Sequence, residues 1–70
     1  MAIVNLAAIL TPAQAGGYAV GAFNVLDYAS MKAVVAAAGE AQSPVIIQTS
    51  TKTVRMWGAG TMISWFRDIA

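Results

Sequence analysis

A chain of 70 residues that is 59% hydrophobic, only 10% charged and of net charge +1, with no cysteine and no histidine, is already tightly bounded in what it can do. Lys32, Lys52, Arg55 and Arg67 are scattered and form no stripe able to follow a phosphate backbone, which excludes nucleic-acid binding; the missing cysteines exclude a disulfide framework, a thiolate nucleophile and a Cys-type zinc site, and suit a cytoplasmic setting. Small domains bury a smaller fraction of their surface than large ones, so this much apolar surface calls for a partner: the rest of a larger chain, other subunits or a membrane.

The first element is expected to be a short helix. Asn5 can cap it, residues 6 to about 15 carry it, and Gly16 is placed to end it in a left-handed conformation. Leu6, Ile9 and Leu10 share one face, a spacing suited to covering the base of a larger fold. No charge precedes Asp27, yet Pro12, Gln14, Gly16 and Gly17 interrupt this stretch, so a membrane-spanning helix of about 20 apolar residues is not expected. Leu6 to Leu10 followed by Ala13-Gln14-Ala15 has the outline of a secretory signal, but no Lys or Arg precedes it as an n-region requires.

Tyr18 to Val25 reads as a buried, continuously apolar strand in which Gly21 and Ala22 are small and Asn24 is a polar exception near the far end. Asp27 can cap a helix from Tyr28 to about Ala41, with Met31, Val34, Val35 and Ala38 forming a narrow apolar stripe. Pro44 disfavours helix at Ser43 and opens a second strand, Val45 to Gln48. Twenty residues separate Asn24 from Pro44, which is too long for a hairpin and fits a helical crossover, so the two strands are expected to be parallel with a right-handed connection. After Ser50, residues 51–60 read as a loop that can hold one helical turn. A final helix is expected from about Thr61 to Ile69, with Met62, Phe66 and Ile69 on one face, Ile63 beside it and Trp65 shielding the seam. Residues 1–70 thus read as one α/β unit. Asn24 and Ser50, 26 residues apart, each close a strand and precede loop and helix, which is βα periodicity; eight such units make a barrel of about 250 residues.

Ligands of parallel α/β sheets gather at the carboxyl ends of the strands, so Asn24, Gln48, Thr49 and Ser50 are the positions of interest. Asn24 can donate and accept hydrogen bonds and the Ser50 hydroxyl can donate to a phosphate or hydroxyl oxygen. The plainer alternative is that Asn24 caps its own turn and Ser50 or Thr51 caps the next helix. Ser50 has no histidine to take its proton. Asp27, Glu40 and Asp68 are not spaced as an acid/base pair or as metal ligands. Gly16-Gly17 precedes a strand, whereas a phosphate-cradling loop follows one. Lys52 reads as a solvated surface cation rather than an anion ligand. Met56, Trp57 and Trp65 could form a stacking platform, though packing is the simpler role.

The run from Gly16-Gly17-Tyr18-Ala19-Val20-Gly21-Ala22-Phe23-Asn24 through Ser43-Pro44-Val45-Ile46-Ile47-Gln48-Thr49-Ser50 resembles the N-terminal part of the class II, zinc-dependent fructose-bisphosphate and tagatose-bisphosphate aldolases. Asn5-Leu6 with Ile9-Leu10 and Ala13-Gln14 resembles the short helix before their first strand, and Trp57-Gly58 with the final helix fits the segment leading to their third. The resemblance implies a TIM barrel and reversible aldol cleavage of a ketose bisphosphate to dihydroxyacetone phosphate and an aldehyde, with a histidine-bound zinc and a proton-shuttling aspartate. Only Asn24 and Ser50 match functional positions, both implied to lie in the substrate pocket, the serine near a phosphate.

The family's Asp-His motif belongs to the end of the third strand, which lies past Ala70. Residues 1–70 are therefore expected to be the N-terminal fragment of a single TIM-barrel domain that binds no zinc, carries no catalytic residue and is inactive alone. The parent protein is expected to be a cytoplasmic homo-oligomer acting on a phosphorylated sugar. Two alternatives stay open: a small self-associating α/β module serving structure or binding, and the start of another phosphosugar-binding TIM barrel.

Overall fold

The computed structural model of the protein describes residues 2–70. Its elements run α1 (Leu6–Gly16), β1 (Ala22–Asn24), α2 (Tyr28–Glu40), β2 (Ile46–Gln48), α3 (Thr51–Trp57) and α4 (Ala59–Ile69). The strands form one two-stranded parallel sheet with Ala22 opposite Ile46, Phe23 opposite Ile47 and Asn24 opposite Gln48. This mixed α/β unit of four helices and a parallel pair is compatible with the opening of a TIM barrel. Among the described residues no helix is long and apolar enough to cross a membrane.

Capping chemistry sets the helix ends. The Asn5 side chain accepts from the Ala8 N–H at 2.9 Å and starts α1. The helix ends one residue later than expected: Gly17, at φ 69°, takes the left-handed conformation, with Gly17 N–H donating to the Gln14 carbonyl and Tyr18 N–H to that of Ala13. Gly16 is still helical. A Cβ there would come within 2.8 Å of the Tyr18 ring, so the two glycines serve different ends. Asp27 caps α2, accepting from the Ser30 N–H at 2.8 Å while the Ser30 hydroxyl oxygen accepts from the Asp27 N–H at 3.1 Å. Gln42 makes the turn into β2 at φ 52°, a left-handed position that a non-glycine residue rarely occupies.

Three expectations need correction. The first strand is three residues rather than eight, because only Gly21 to Val25 has a partner. The ladder is bracketed by Ile46 N–H to the Gly21 carbonyl and Val25 N–H to the Gln48 carbonyl, both 2.9 Å, and Pro44 has no N–H with which to extend pairing toward Tyr18. Nor is β1 buried: Ala22, Phe23 and Asn24 are all exposed, since a two-stranded sheet has open edges. Finally, residues 51–57 form a seven-residue helix rather than a loop, and only Gly58, at φ 91°, separates α3 from α4.

The core gathers on one face of the sheet. Val25, Met31 and Met62 are buried together, with Ile47, Phe66 and Ile69 packed around them. Period-two alternation leaves Ala22, Asn24, Ile46 and Gln48 on the opposite face, where Ala22, Asn24 and Gln48 are exposed. The α2 stripe packs as expected, with Met31, Val35 and Ala38 buried. On α4, Met62 is 6% exposed while Ile63 is 51% exposed, so adjacent apolar residues have opposite fates.

That contrast is measurable. Met62→Ala is expected to cost about 2–5 kcal/mol of folding free energy, the range for emptying a packed core site. Ile63→Ala is expected to cost about 1 kcal/mol or less. Urea unfolding midpoints of the two variants check the order.

Candidate functional site

The parallel register brings the polar strand ends together. Asn24 and Gln48 are paired neighbours on the same sheet face, with backbones about 4.8 Å apart. Ser50 follows two residues beyond β2, in extended backbone at φ −89°, ψ 159°, and is the N-cap of α3. Its Oγ accepts from the Thr53 N–H at 3.3 Å and lies 3.1 Å from Thr53 Oγ1, where either hydroxyl can be the donor. The helix-capping alternative therefore holds for Ser50, and it leaves the hydroxyl at the strand tip. For Asn24 the capping alternative does not describe the turn. The Leu26 and Asp27 N–H groups both go to Ser30 Oγ, at 2.9 and 3.1 Å.

The turn from β1 into α2 has each backbone polar group from Val25 to Asp27 paired. Val25 N–H donates to the Gln48 carbonyl at 2.9 Å, and the Val25 carbonyl accepts from the Thr49 hydroxyl at 3.2 Å. The Leu26 carbonyl accepts from the Trp57 indole N–H at 2.8 Å, and the Asp27 carbonyl accepts from Met31 N–H at 3.2 Å. Sequence reading marked Thr49 for its place at a strand tip but missed the role of Trp57, whose partner lies 31 residues away. Trp57 does stack, edge-on to Trp65 at 5.2 Å, and Trp65 meets Tyr28 edge-on at 5.9 Å. Met56 is 67% exposed and the aromatic row is Trp57, Trp65 and Tyr28, so the tryptophans pack against other side chains, the simpler of the two roles weighed for them.

Two ionisable groups flank this row. The Ser30 backbone N–H, and then its hydroxyl, hold the Asp27 carboxyl below its ordinary value of 3.8. The Tyr28 hydroxyl donates to Asp68 Oδ2 at 3.1 Å, tying the start of α2 to the end of α4. That hydrogen bond, followed by burial and the Asp68 charge, raises the phenol above its ordinary value.

Metal binding has no donor set here. The chain lacks histidine and cysteine, and among the described residues no three His, Cys, Asp or Glu side chains come together. The residues present do not fit zinc. A cleft of about 630 Å³ is lined by Tyr18, Phe23, Val34, Pro44 and Val45. It lies toward the amino ends of the strands, away from Asn24 and Ser50.

Comparison with known proteins gives a consistent result. The family described as fructose-bisphosphate aldolase class-II matches residues 4–70. The D-tagatose-1,6-bisphosphate aldolase subunit GatY of Klebsiella oxytoca is 37% identical over 70 residues, covering 100% of this chain and 25% of that protein. The fructose-bisphosphate aldolase of Geobacillus stearothermophilus is 40% identical over 70 residues, covering 99% of this chain and 24% of that protein. The 6-phospho-5-dehydro-2-deoxy-D-gluconate aldolase of Halalkalibacterium halodurans is 41% identical over 58 residues, 83% of this chain and 20% of that protein. The chain thus spans a quarter or less of the length of these curated relatives. No solved structure gives a significant match.

The Asp27 cap makes a pH signature. Its folded value is depressed, so its contribution to stability is complete above the unfolded value near 3.8 and is lost as pH falls through the lower folded value. Asp27→Asn keeps a capping acceptor and removes the titration. Urea midpoints measured from pH 6 down to pH 2 are expected to fall less steeply for the variant, with the two curves converging at the acid end.

Proposed function

The chain belongs to the class II fructose-bisphosphate aldolase family, and from that membership we propose that it forms the first two βα units of a TIM barrel that reversibly cleaves a ketose bisphosphate to dihydroxyacetone phosphate and an aldehyde. The substrate is fructose 1,6- or tagatose 1,6-bisphosphate. The observation that carries this reading is the convergence of Asn24, Gln48 and Ser50 at the carboxyl ends of two parallel strands, the end at which such barrels hold their ligands.

In this reading Asn24 binds substrate oxygens through its carboxamide, and Ser50 donates its hydroxyl to a phosphate oxygen. The zinc of the family is held by the remainder of the barrel, because residues 1–70 offer no ligand set for it. Residues 1–70 alone therefore bind no zinc and cleave nothing. The whole protein is read as a cytoplasmic homo-oligomer, and the exposed Tyr18, Phe23, Leu26 and Ile63 are surfaces that the remaining barrel or a partner subunit would cover. The Halalkalibacterium halodurans relative, named for a different phosphorylated substrate, supports a second reading in which the barrel acts on another phosphosugar.

Grafting residues 1–70 in place of the matching segment of the Geobacillus stearothermophilus aldolase tests the proposal. The chimera is expected to cleave fructose 1,6-bisphosphate in a coupled assay for dihydroxyacetone phosphate. Ser50→Ala is expected to raise KM about 10-fold, the value of one charge-assisted hydrogen bond, and Asn24→Ala to lower kcat about 100-fold. A folded, zinc-loaded chimera without ketose-bisphosphate cleavage overturns the proposal. Cleavage only of 6-phospho-5-dehydro-2-deoxy-D-gluconate selects the second reading.

A further inference from the structure

We propose that Trp57 is a positioning residue for the strand-tip site: its indole N–H, by holding the Leu26 carbonyl, sets the orientation of Asn24 relative to Ser50. The inference rests on the reading of Asn24 and Ser50 as substrate-pocket residues. Its evidence is separate from theirs.

The turn carrying the chain from Asn24 into α2 is fixed from two sides. Contacts within the turn come from Ser30, which takes the Leu26 and Asp27 N–H groups. Beyond the last ladder bond, from Val25 N–H to the Gln48 carbonyl, the contacts from outside among the described residues come through carbonyl oxygens. Thr49 Oγ1 holds the Val25 carbonyl at 3.2 Å, and Trp57 Nε1 holds the Leu26 carbonyl at 2.8 Å. Both outside donors belong to the stretch of chain that contains Ser50, one directly before it and one at the far end of the helix that Ser50 caps. The two strand tips are thus joined beyond the last ladder bond by a pair of side-chain hydrogen bonds, of which the Trp57 bond is the shorter.

The geometry of Trp57 suits this role. Its ring is braced edge-on by Trp65 at 5.2 Å, and Trp65 in turn by Tyr28 at 5.9 Å, so the indole has a defined orientation although 42% of the residue is exposed. Gly58 follows directly at φ 91°, a conformation that turns the chain away as soon as the indole is placed. Loss of the donor leaves the Leu26 carbonyl to water and frees the turn two residues from Asn24. Misorientation of a substrate-binding group penalises the reacting geometry more than the binding of ground-state substrate.

The test uses the barrel chimera with two single variants. Trp57→Phe keeps an aromatic ring against Trp65 and removes the donor; Trp65→Phe keeps the donor and alters the stack. Trp57→Phe is expected to lower kcat about 10-fold with KM changed less than about 2-fold, whereas Trp65→Phe, which loosens the brace but keeps the donor, is expected to lower the melting temperature and to lower kcat by no more than about 2-fold. A second readout needs no activity. In tryptophan-labelled chimera the Trp57 indole N–H is expected to exchange with solvent more slowly than that of Trp65, and Trp57→Phe to shift the side-chain amide resonances of Asn24. Equal kcat for the two variants, rapid Trp57 indole exchange, or unshifted Asn24 resonances each overturn the proposal. If the chimera cleaves no substrate, the catalytic reading fails on its own, and the exchange and resonance measurements still decide the positioning role.

Discussion

The architecture depends on a parallel ladder only three residues long. Its two bracketing hydrogen bonds, Ile46 to Gly21 and Val25 to Gln48, fix the register, and the register decides everything downstream. A slip of β1 by one residue would turn Val25 out of the core and send Asn24 into it. Burial of Val25 against Met31 and Met62 is therefore what holds the polar tips on the other face. Packing on one side of the sheet and polar strand tips on the other are two results of one alternation.

Much of this was legible in the residues. Asn5 and Asp27 announced two helix starts because a short polar side chain before an apolar period has one economical use, and both make the expected caps. The parallel pairing followed from the length between Asn24 and Pro44, since no hairpin spans it. The apolar stripe of α2 was equally plain. What stayed hidden has a common cause: it depends on where another segment lies. The length of β1 is set by the donors of β2 and by the missing donor of Pro44, not by the apolar run from Tyr18 to Val25. The helix at Thr51–Trp57 has mixed polarity, and local capping by Ser50 with the turn at Gly58 outweighs the weak periodicity. The Trp57 contact to Leu26 leaves no mark in either stretch of sequence.

Family membership and the folded unit explain each other's oddities. With the core of α2 and α4 packed on one face of two strands, Phe23 is half exposed and Leu26 is 66% exposed, which would be poor design for a free-standing domain. The same surfaces are what a closed ring of strands, wrapped by helices, would cover on either side. The chain's few charges fit this picture: Lys32 and Lys52 are exposed on helices, and Asp68 is tied by Tyr28 across the outside of the unit.

The paired hydroxyls of Ser50 and Thr53 leave the direction of hydrogen bonding at the strand tip open to choice. At 3.1 Å they share a single hydrogen bond that can run in either direction. When Thr53 donates, the Ser50 proton is released for an outside acceptor while its oxygen stays satisfied by the Thr53 amide. The heavy atoms need not shift. A reversal of proton direction, achieved by rotation about two carbon–oxygen single bonds, is all that separates the two arrangements, so little reorganisation energy stands between them.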